Sequence, residues 1–186
     1  MSPNESHVAE ISRTLQRLAP GPLAELRRME PGGAGTPAFW HLAAKLELPQ
    51  GDIDAWQQTI RIMAILSEKG APETRKPLHD ERRPLGAALC DGGDRDWQPS
   101  PASEPRPCLS EARFARFLAL PAAARGEALE RISRALARKA GHGLNCADIA
   151  DLLLRPDDPR PPQRLARAYY DRLDRARRAT LPEGTV

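Results

Sequence analysis

Apolar side chains recur at steps of three and four residues along most of this 186-residue chain. Val8, Ile11 and Leu15 begin the pattern, which places apolar groups on one face of an α-helix. Trp40 and Trp56 fall on such apolar faces, so both are predicted to be core residues. No segment of useful length alternates apolar and polar residues with β-branched side chains, as a strand would. The chain is therefore predicted to be all-α.

Proline, glycine and capping residues mark the ends of the predicted helices. Thr36 is the predicted N-cap of a helix whose first residue is Pro37, and Asn145 is the predicted N-cap of a later helix. A helix that starts at Asp52 is predicted to end at Gly70, because glycine readily adopts the backbone conformation that follows a helix. These signals divide the chain into a series of short and medium helices.

The regular spacing is lost between residues 71 and 107, where seven prolines and two adjacent glycines occur. We interpret this region as linker and loop, with the short apolar segment 84–90 inside it. The predicted architecture is two small helical bundles joined by a long Pro/Gly-rich loop. The predicted domains are an N-terminal bundle over 1–90, a loop over 91–107 and a C-terminal bundle with a basic face over 108–186.

Several classes of protein are excluded by simple counts. No stretch approaches the roughly 18 apolar residues of a membrane span, and the first residues lack the apolar segment of a secretory signal. Cys90, Cys108 and Cys146 are odd in number and include no CxxC pair, which argues against a disulfide framework or a zinc site. We expect a cytoplasmic protein whose cysteines are reduced and mostly buried as small apolar residues.

The positive charge is concentrated in the second half of the chain. The whole sequence has a net charge of +3, with 24 of its 28 basic residues arginine. Residues 110–186 hold 15 Lys+Arg against 10 Asp+Glu, whereas residues 1–109 hold 13 against 15. The planar guanidinium group suits two-point contact with phosphate. The excess of arginine therefore favours a phosphate-bearing partner for the C-terminal half.

Within that half, arginines form a stripe along one predicted helix. At 100° per residue, Arg131, Arg134 and Arg138 lie within about 60° of one another, roughly opposite an apolar stripe. Arg138 and Lys139 have no acidic residue four positions earlier. Arg113 and Arg116 are neighbours on the preceding helix. These cations are predicted to bind nucleic acid; the alternative is a solvated face in which glutamates pair with Arg131 and Arg134 at i,i+4 spacing.

Motifs for catalysis are poor. The four histidines are scattered, and the sequence contains no HExxH, GxSxG or phosphate-binding GK[ST] loop. His79 and Asp80 resemble the start of a metal-dependent phosphohydrolase motif, but no helical histidine partner or later aspartate completes it. We therefore expect no enzyme activity, no catalytic or metal-binding residue and no cofactor, and a phosphohydrolase remains an alternative hypothesis.

Several segments together resemble a known family in their order and spacing. They are LAELRRMEPGGAGTPAFWHL, WQQTIRIMAILSE, PLGAALC, SEARFARFL, ALERISRALARKA, ADIADLLLR and RLARAYY. In this order they are similar to the CasB family, the small subunit of the type I-E CRISPR surveillance complex Cascade, over residues 8–172. One departure is the stretch GLNCADIAD, where the family usually has tryptophan. The 91–107 loop also looks longer than in the family.

The resemblance implies an all-α, non-enzymatic subunit present in two copies within Cascade. Its implied partners are the other Cascade proteins, a second copy of itself, the crRNA, and the target and non-target DNA strands, with no membrane. In antiviral defence it would stabilise the crRNA–target DNA hybrid and the displaced strand. The family's basic positions match Arg27, Arg28, Arg113, Arg116 and Arg134. The alternative is a helical scaffold whose basic face serves assembly with other proteins.

Overall fold

The computed structural model describes residues 4–98, 104–138 and 143–180. Over these residues the protein has nine α-helices, two short 3-10 turns and no strand, which confirms the all-α prediction. The helices are α1 Glu5–Arg17, α2 Pro20–Arg28, α3 Pro37–Lys45, α4 Ile53–Leu66, α5 Leu85–Asp91, α6 Glu111–Leu118, α7 Ala122–Leu136, α8 Cys146–Leu154 and α9 Arg160–Thr180. None of these helices has both the length and the apolar character needed to cross a membrane.

Two of the predicted helix starts are confirmed in atomic detail. The Thr36 hydroxyl accepts a hydrogen bond from the backbone N–H of Phe39 at 3.3 Å. The Asn145 side chain accepts one from the N–H of Ala147 at 2.9 Å. Each cap satisfies an N–H that has no partner within its own helix. The predicted end of α4 at Gly70 is wrong, since the helix stops at Leu66.

The segment 84–90, interpreted from the sequence as part of the linker, forms most of helix α5 instead. Its residues are largely buried, and it packs along α9. Gly86 permits this close crossing, because a Cβ at this position would collide with the carbonyl oxygen of Leu165. The carboxylate of Asp148 accepts the N–H of Leu85 at 2.9 Å and so caps α5. Burial nevertheless raises the pKa of Asp148 above its usual value.

The helices share a hydrophobic core that draws on both halves of the chain. Trp56 of α4 and Phe114 of α6 are both fully buried in it, and α4 packs against α7 and α8. Tyr169 of α9 stacks on Phe114 with 4.0 Å between ring centroids. The division into domains at residues 90 and 108 stays a prediction. Trp40 was predicted to be core but is 43% exposed, and its Nε1 donates to the carbonyl oxygen of Ala34.

A buried ionic cluster joins α5 to α9. The Asp91 side chain is 2% exposed and accepts hydrogen bonds from Arg83 at 2.8 Å and from Arg172 at 2.9 Å. Arg172 also lies over the ring of Trp97, 5.2 Å from its centroid, and donates to the Trp97 carbonyl. Two arginines thus serve the interior of the fold, so the number of arginines alone overstates the cations open to a partner.

Candidate nucleic-acid interface

Five of the predicted site residues lie on α6, α7 and the turn that follows α7. Arg113, Arg116, Arg131, Arg134 and Arg138 are all exposed. We call these five arginines the arginine face. On the other side of α7, Leu129 and Leu136 are buried and Ile132 is half-buried. The arrangement confirms the predicted separation of a basic and an apolar side on α7.

Two arginines of this face are paired with acidic residues of the same helix. Arg131 Nη1 lies 3.6 Å from a carboxylate oxygen of Glu127, and both side chains are largely exposed. Arg134 donates from Nε and Nη2 to one oxygen of Glu130, at 3.1 and 2.9 Å. Glu130 also pairs with Arg61 of α4 at 3.1 Å. The exposed Glu127–Arg131 pair contributes about 0.5 kcal/mol or less and leaves the guanidinium able to exchange partners, whereas Glu130 is only 14% exposed and holds Arg134 more firmly.

The other three arginines are less constrained. Arg113, Arg116 and Arg138 form no ion pair with any acidic residue in the described part of the chain. Lys139, the last of the predicted cations, lies outside the described residues. An exposed arginine without a carboxylate partner contacts an anion without first losing an internal ion pair. These three positions are therefore the ones most open to phosphate.

Arg27, predicted as a site residue, has a clear structural contact. Its Nε donates to the carbonyl of Ala64 at 2.8 Å, and its Nη2 donates to the carbonyls of Ser67 and Glu68 at 2.9 and 3.2 Å. These carbonyls belong to the end of α4, where helical partners run out. Burial, with a further contribution from nearby Arg75, lowers the pKa of Arg27. Its neighbour Arg28 is exposed, and a role for either residue in nucleic-acid binding stays a prediction.

A groove between α6 and α7 lies beside the arginine face and was not foreseen from the sequence. Its volume is about 450 Å³. Apolar side chains form its floor, chiefly those of Leu109, Phe117, Leu120, Ile132, Ala135 and Leu136. Arg113, Arg116 and Arg131 stand along its sides. We call it the α6–α7 groove; the only hint in the sequence was that apolar residues recur between the arginines of α7.

His79, the candidate for metal-dependent chemistry, lies beside Glu5 and Glu81. Its Nε2 is 2.8 Å from a carboxylate oxygen of Glu5, and its Nδ1 accepts the backbone N–H of Cys146 at 3.2 Å. An Nδ1 that accepts a hydrogen bond carries no proton, so the neutral ring has its proton on Nε2. Metal-bound histidines have the opposite arrangement, with the second nitrogen donating. These three residues therefore fit a metal ion poorly.

Asp80, the second residue of the motif, pairs with Arg95 instead of sharing a site with His79. His79 itself is fixed to two other elements, since its backbone N–H also donates to the Ser12 hydroxyl of α1 at 3.0 Å. The described residues bring no second histidine to this cluster. His79 is thus built into the packing of α1 and α8, which gives it a structural reason to be present.

The helix order and the buried core define an all-α protein, and its fold is similar to that of a solved structure. The crystal structure of CasB from Thermobifida fusca superposes with a TM-score of 0.59, covering 91% of this chain and 96% of that one at 22% sequence identity. The resemblance predicted from sequence motifs is confirmed at the level of the fold. No protein-family model matches the chain, and no curated protein matches its sequence.

Proposed function

We propose that this protein is a non-catalytic, nucleic-acid-binding subunit of a type I-E Cascade complex in the cytoplasm. It would stabilise the crRNA–target DNA hybrid and the displaced non-target strand in antiviral defence. The observation that carries the proposal is the combination of a CasB-like fold with an arginine face that is exposed on neighbouring helices. Its partners would be the other Cascade proteins, a second copy of itself, the crRNA and both DNA strands.

The chemistry of the arginine face suits this role. Arginines bind phosphate through charge and two-point hydrogen bonds, without reading base sequence, and the release of counterions supplies the free energy. In an RNA-guided complex the sequence is read by base pairing with the guide, so a subunit needs only to hold the backbone. Arg113, Arg116 and Arg138 would make the first contacts because no internal ion pair has to break.

The proposal is tested by co-expression with the other Cascade subunits and crRNA, followed by crosslinking of bound nucleic acid and mapping of the linked peptides. Supporting results are co-purification of the chain and crosslinks to peptides from α6 and α7. Co-purification with crosslinks confined to other surfaces would contradict the proposed face. Failure to co-purify would contradict the assignment to Cascade.

A second candidate function is a helical scaffold whose basic face serves assembly. The observation in its favour is the α6–α7 groove, because a purely phosphate-binding surface has no need for an apolar floor. Variants of Arg113 and Arg116 that lose assembly but retain DNA affinity would favour this function over the first.

A further inference from the structure

The α6–α7 groove combines an apolar floor with side groups of a single charge. Among the residues that the structure describes, the charged ones that line it are three arginines, and none of the acidic ones lines it. The floor includes Ala135, which is exposed, and Ile132 and Leu120, which are half-buried. A surface of this kind is complementary to an apolar ridge that is flanked by negative groups.

The flanking negative groups of a partner are either carboxylates of a protein or phosphates of a nucleic acid. The apolar character of the floor favours one of these two partners over the other. Unpaired nucleic-acid bases stack on open aromatic faces or guanidinium planes, and they present polar edges that need hydrogen-bond partners. Phe117 is only 3% exposed, so it offers no open face for stacking. Within the described part of the chain, the Cys108 thiol is the floor's single hydrogen-bonding side chain, and it is a weak one. Burying base edges against aliphatic groups would leave them unsatisfied, at a cost of about 1–3 kcal/mol each.

Aliphatic side chains of a protein helix have no such penalty. An amphipathic helix presents side chains at i, i+3, i+4 and i+7 to an apolar groove, which is a common mode of recognition. A groove of about 450 Å³ has room for several such side chains. Carboxylates beside that ridge would meet Arg113, Arg116 and Arg131, since guanidinium–carboxylate pairs form two parallel hydrogen bonds.

We propose that the α6–α7 groove is a docking site for an acidic amphipathic helix of a partner protein. The partner buries an aliphatic ridge on the floor, and its Asp and Glu side chains pair with the three arginines along the sides. Arg134 and Arg138 do not line the groove; Arg138 stays open to phosphate, whereas Arg134 is already paired with Glu130. The inference goes beyond the first proposed function and deepens the second, because the groove that favours a scaffold also carries it; it does not depend on membership of Cascade.

Docking of such a helix has one consequence for nucleic-acid binding. Once paired with carboxylates, Arg113, Arg116 and Arg131 have less positive charge and fewer N–H donors to offer to phosphates. An acidic helix in the groove therefore competes with nucleic acid for these three side chains. The remaining cations of the arginine face are unaffected, so competition is expected to be partial.

The test is a selection of random phage-displayed peptides, about four helical turns long, on the immobilised full chain. Ala135→Gln fills the groove with a neutral side chain at an exposed helical position, so the fold is retained. Ala115→Gln is the matched control, because Ala115 is exposed on α6 but does not line the groove. Arg131→Gln, which removes one of the three guanidinium groups that line the groove, is a second variant that keeps the test decisive should Ala135→Gln fail to fold.

The selected peptides are expected to combine aliphatic residues at helical spacing with flanking Asp or Glu. Ala135→Gln should weaken their binding by about tenfold or more, and Ala115→Gln should leave it unchanged. Peptides that are insensitive to Ala135→Gln, or sensitive peptides without acidic residues, would overturn the proposal. So would a short oligothymidylate that loses as much affinity on Ala135→Gln, since the groove would then take nucleotide bases.

Discussion

Arg27 of α2 donates from Nε to the carbonyl oxygen of Ala64 in the last turn of α4, at 2.8 Å. The same guanidinium reaches two further carbonyls beyond the helix end. A side chain that the sequence marks as a candidate for phosphate binding thus closes a helix inside the fold. Its neighbour Arg28 is exposed, which makes the two positions a natural comparison.

Arg27→Ala is expected to lower the free energy of unfolding by about 2 kcal/mol, because it leaves carbonyls at the end of α4 without a donor. Arg28→Ala is expected to change it by less than about 0.5 kcal/mol, as surface substitutions usually do. Urea unfolding followed by circular dichroism measures both. Equal stability of the two variants would contradict the capping role of Arg27.

Asp91→Ala is expected to destabilise the protein by about 3–5 kcal/mol, because Arg83 and Arg172 would remain largely buried without their counter-ion. Asp171→Ala is the matched control, since this carboxylate is 57% exposed and only loosely paired with Arg167. Thermal and urea unfolding of both variants provide the comparison. A small effect at Asp91 would mean that the cluster does not join α5 to α9.

Native-state alkylation at mildly alkaline pH is expected to modify Cys108 and to spare Cys90 and Cys146. Cys108 is half-buried, whereas the other two thiols are fully buried. Burial raises the pKa of Cys90 to about 12 and raises that of Cys146 as well, so neither forms the reactive thiolate. Mass spectrometry before and after unfolding reports the modified sites. Rapid native labelling of Cys90 or Cys146 would contradict the packing of α5 and α8.

Addition of Zn²⁺ or Mn²⁺ is expected to leave Tm unchanged, and so is removal of metal ions with EDTA. The Nδ1 of His79 accepts the N–H of Cys146, so no lone pair is free on Nε2. His79→Ala should still lower the free energy of unfolding by about 1–3 kcal/mol, because it leaves the N–H of Cys146 unsatisfied. His41 is exposed, so His41→Ala should have little effect on stability. A metal-dependent rise in Tm that His79→Ala abolishes would restore the metal hypothesis.

The features of the fold that the sequence predicts correctly are those that depend on residues close together along the chain. The Thr36 and Asn145 caps and the arginine side of α7 depend on residues within one or two helical turns. Helix α5 was missed because it has only seven residues, too few for a periodic pattern, and its stability comes from packing on α9. The early end of α4 was missed for a related reason, since helix ends leave only weak sequence signals.

The candidate site was predictable to a smaller extent. The helical period predicts that Arg113, Arg116 and Arg131 are exposed. The contact of Arg27, by contrast, depends on the carbonyl of Ala64, which is 37 residues away along the chain. The α6–α7 groove depends on how two helices and the segment around Leu109 meet in space. No single-helix pattern contains that information.

The most direct test of the central claim is the salt dependence of target-DNA binding by the assembled complex. The triple variant Arg113→Gln, Arg116→Gln and Arg134→Gln is compared with a matched triple variant on α9, namely Arg160→Gln, Arg167→Gln and Arg178→Gln. If the arginine face binds phosphate, the first triple should weaken binding and lower the slope of log K against log salt by about 2–3. The α9 triple should bind like the wild type. Wild-type affinity and slope in the first triple, with the protein folded and incorporated, would contradict the account.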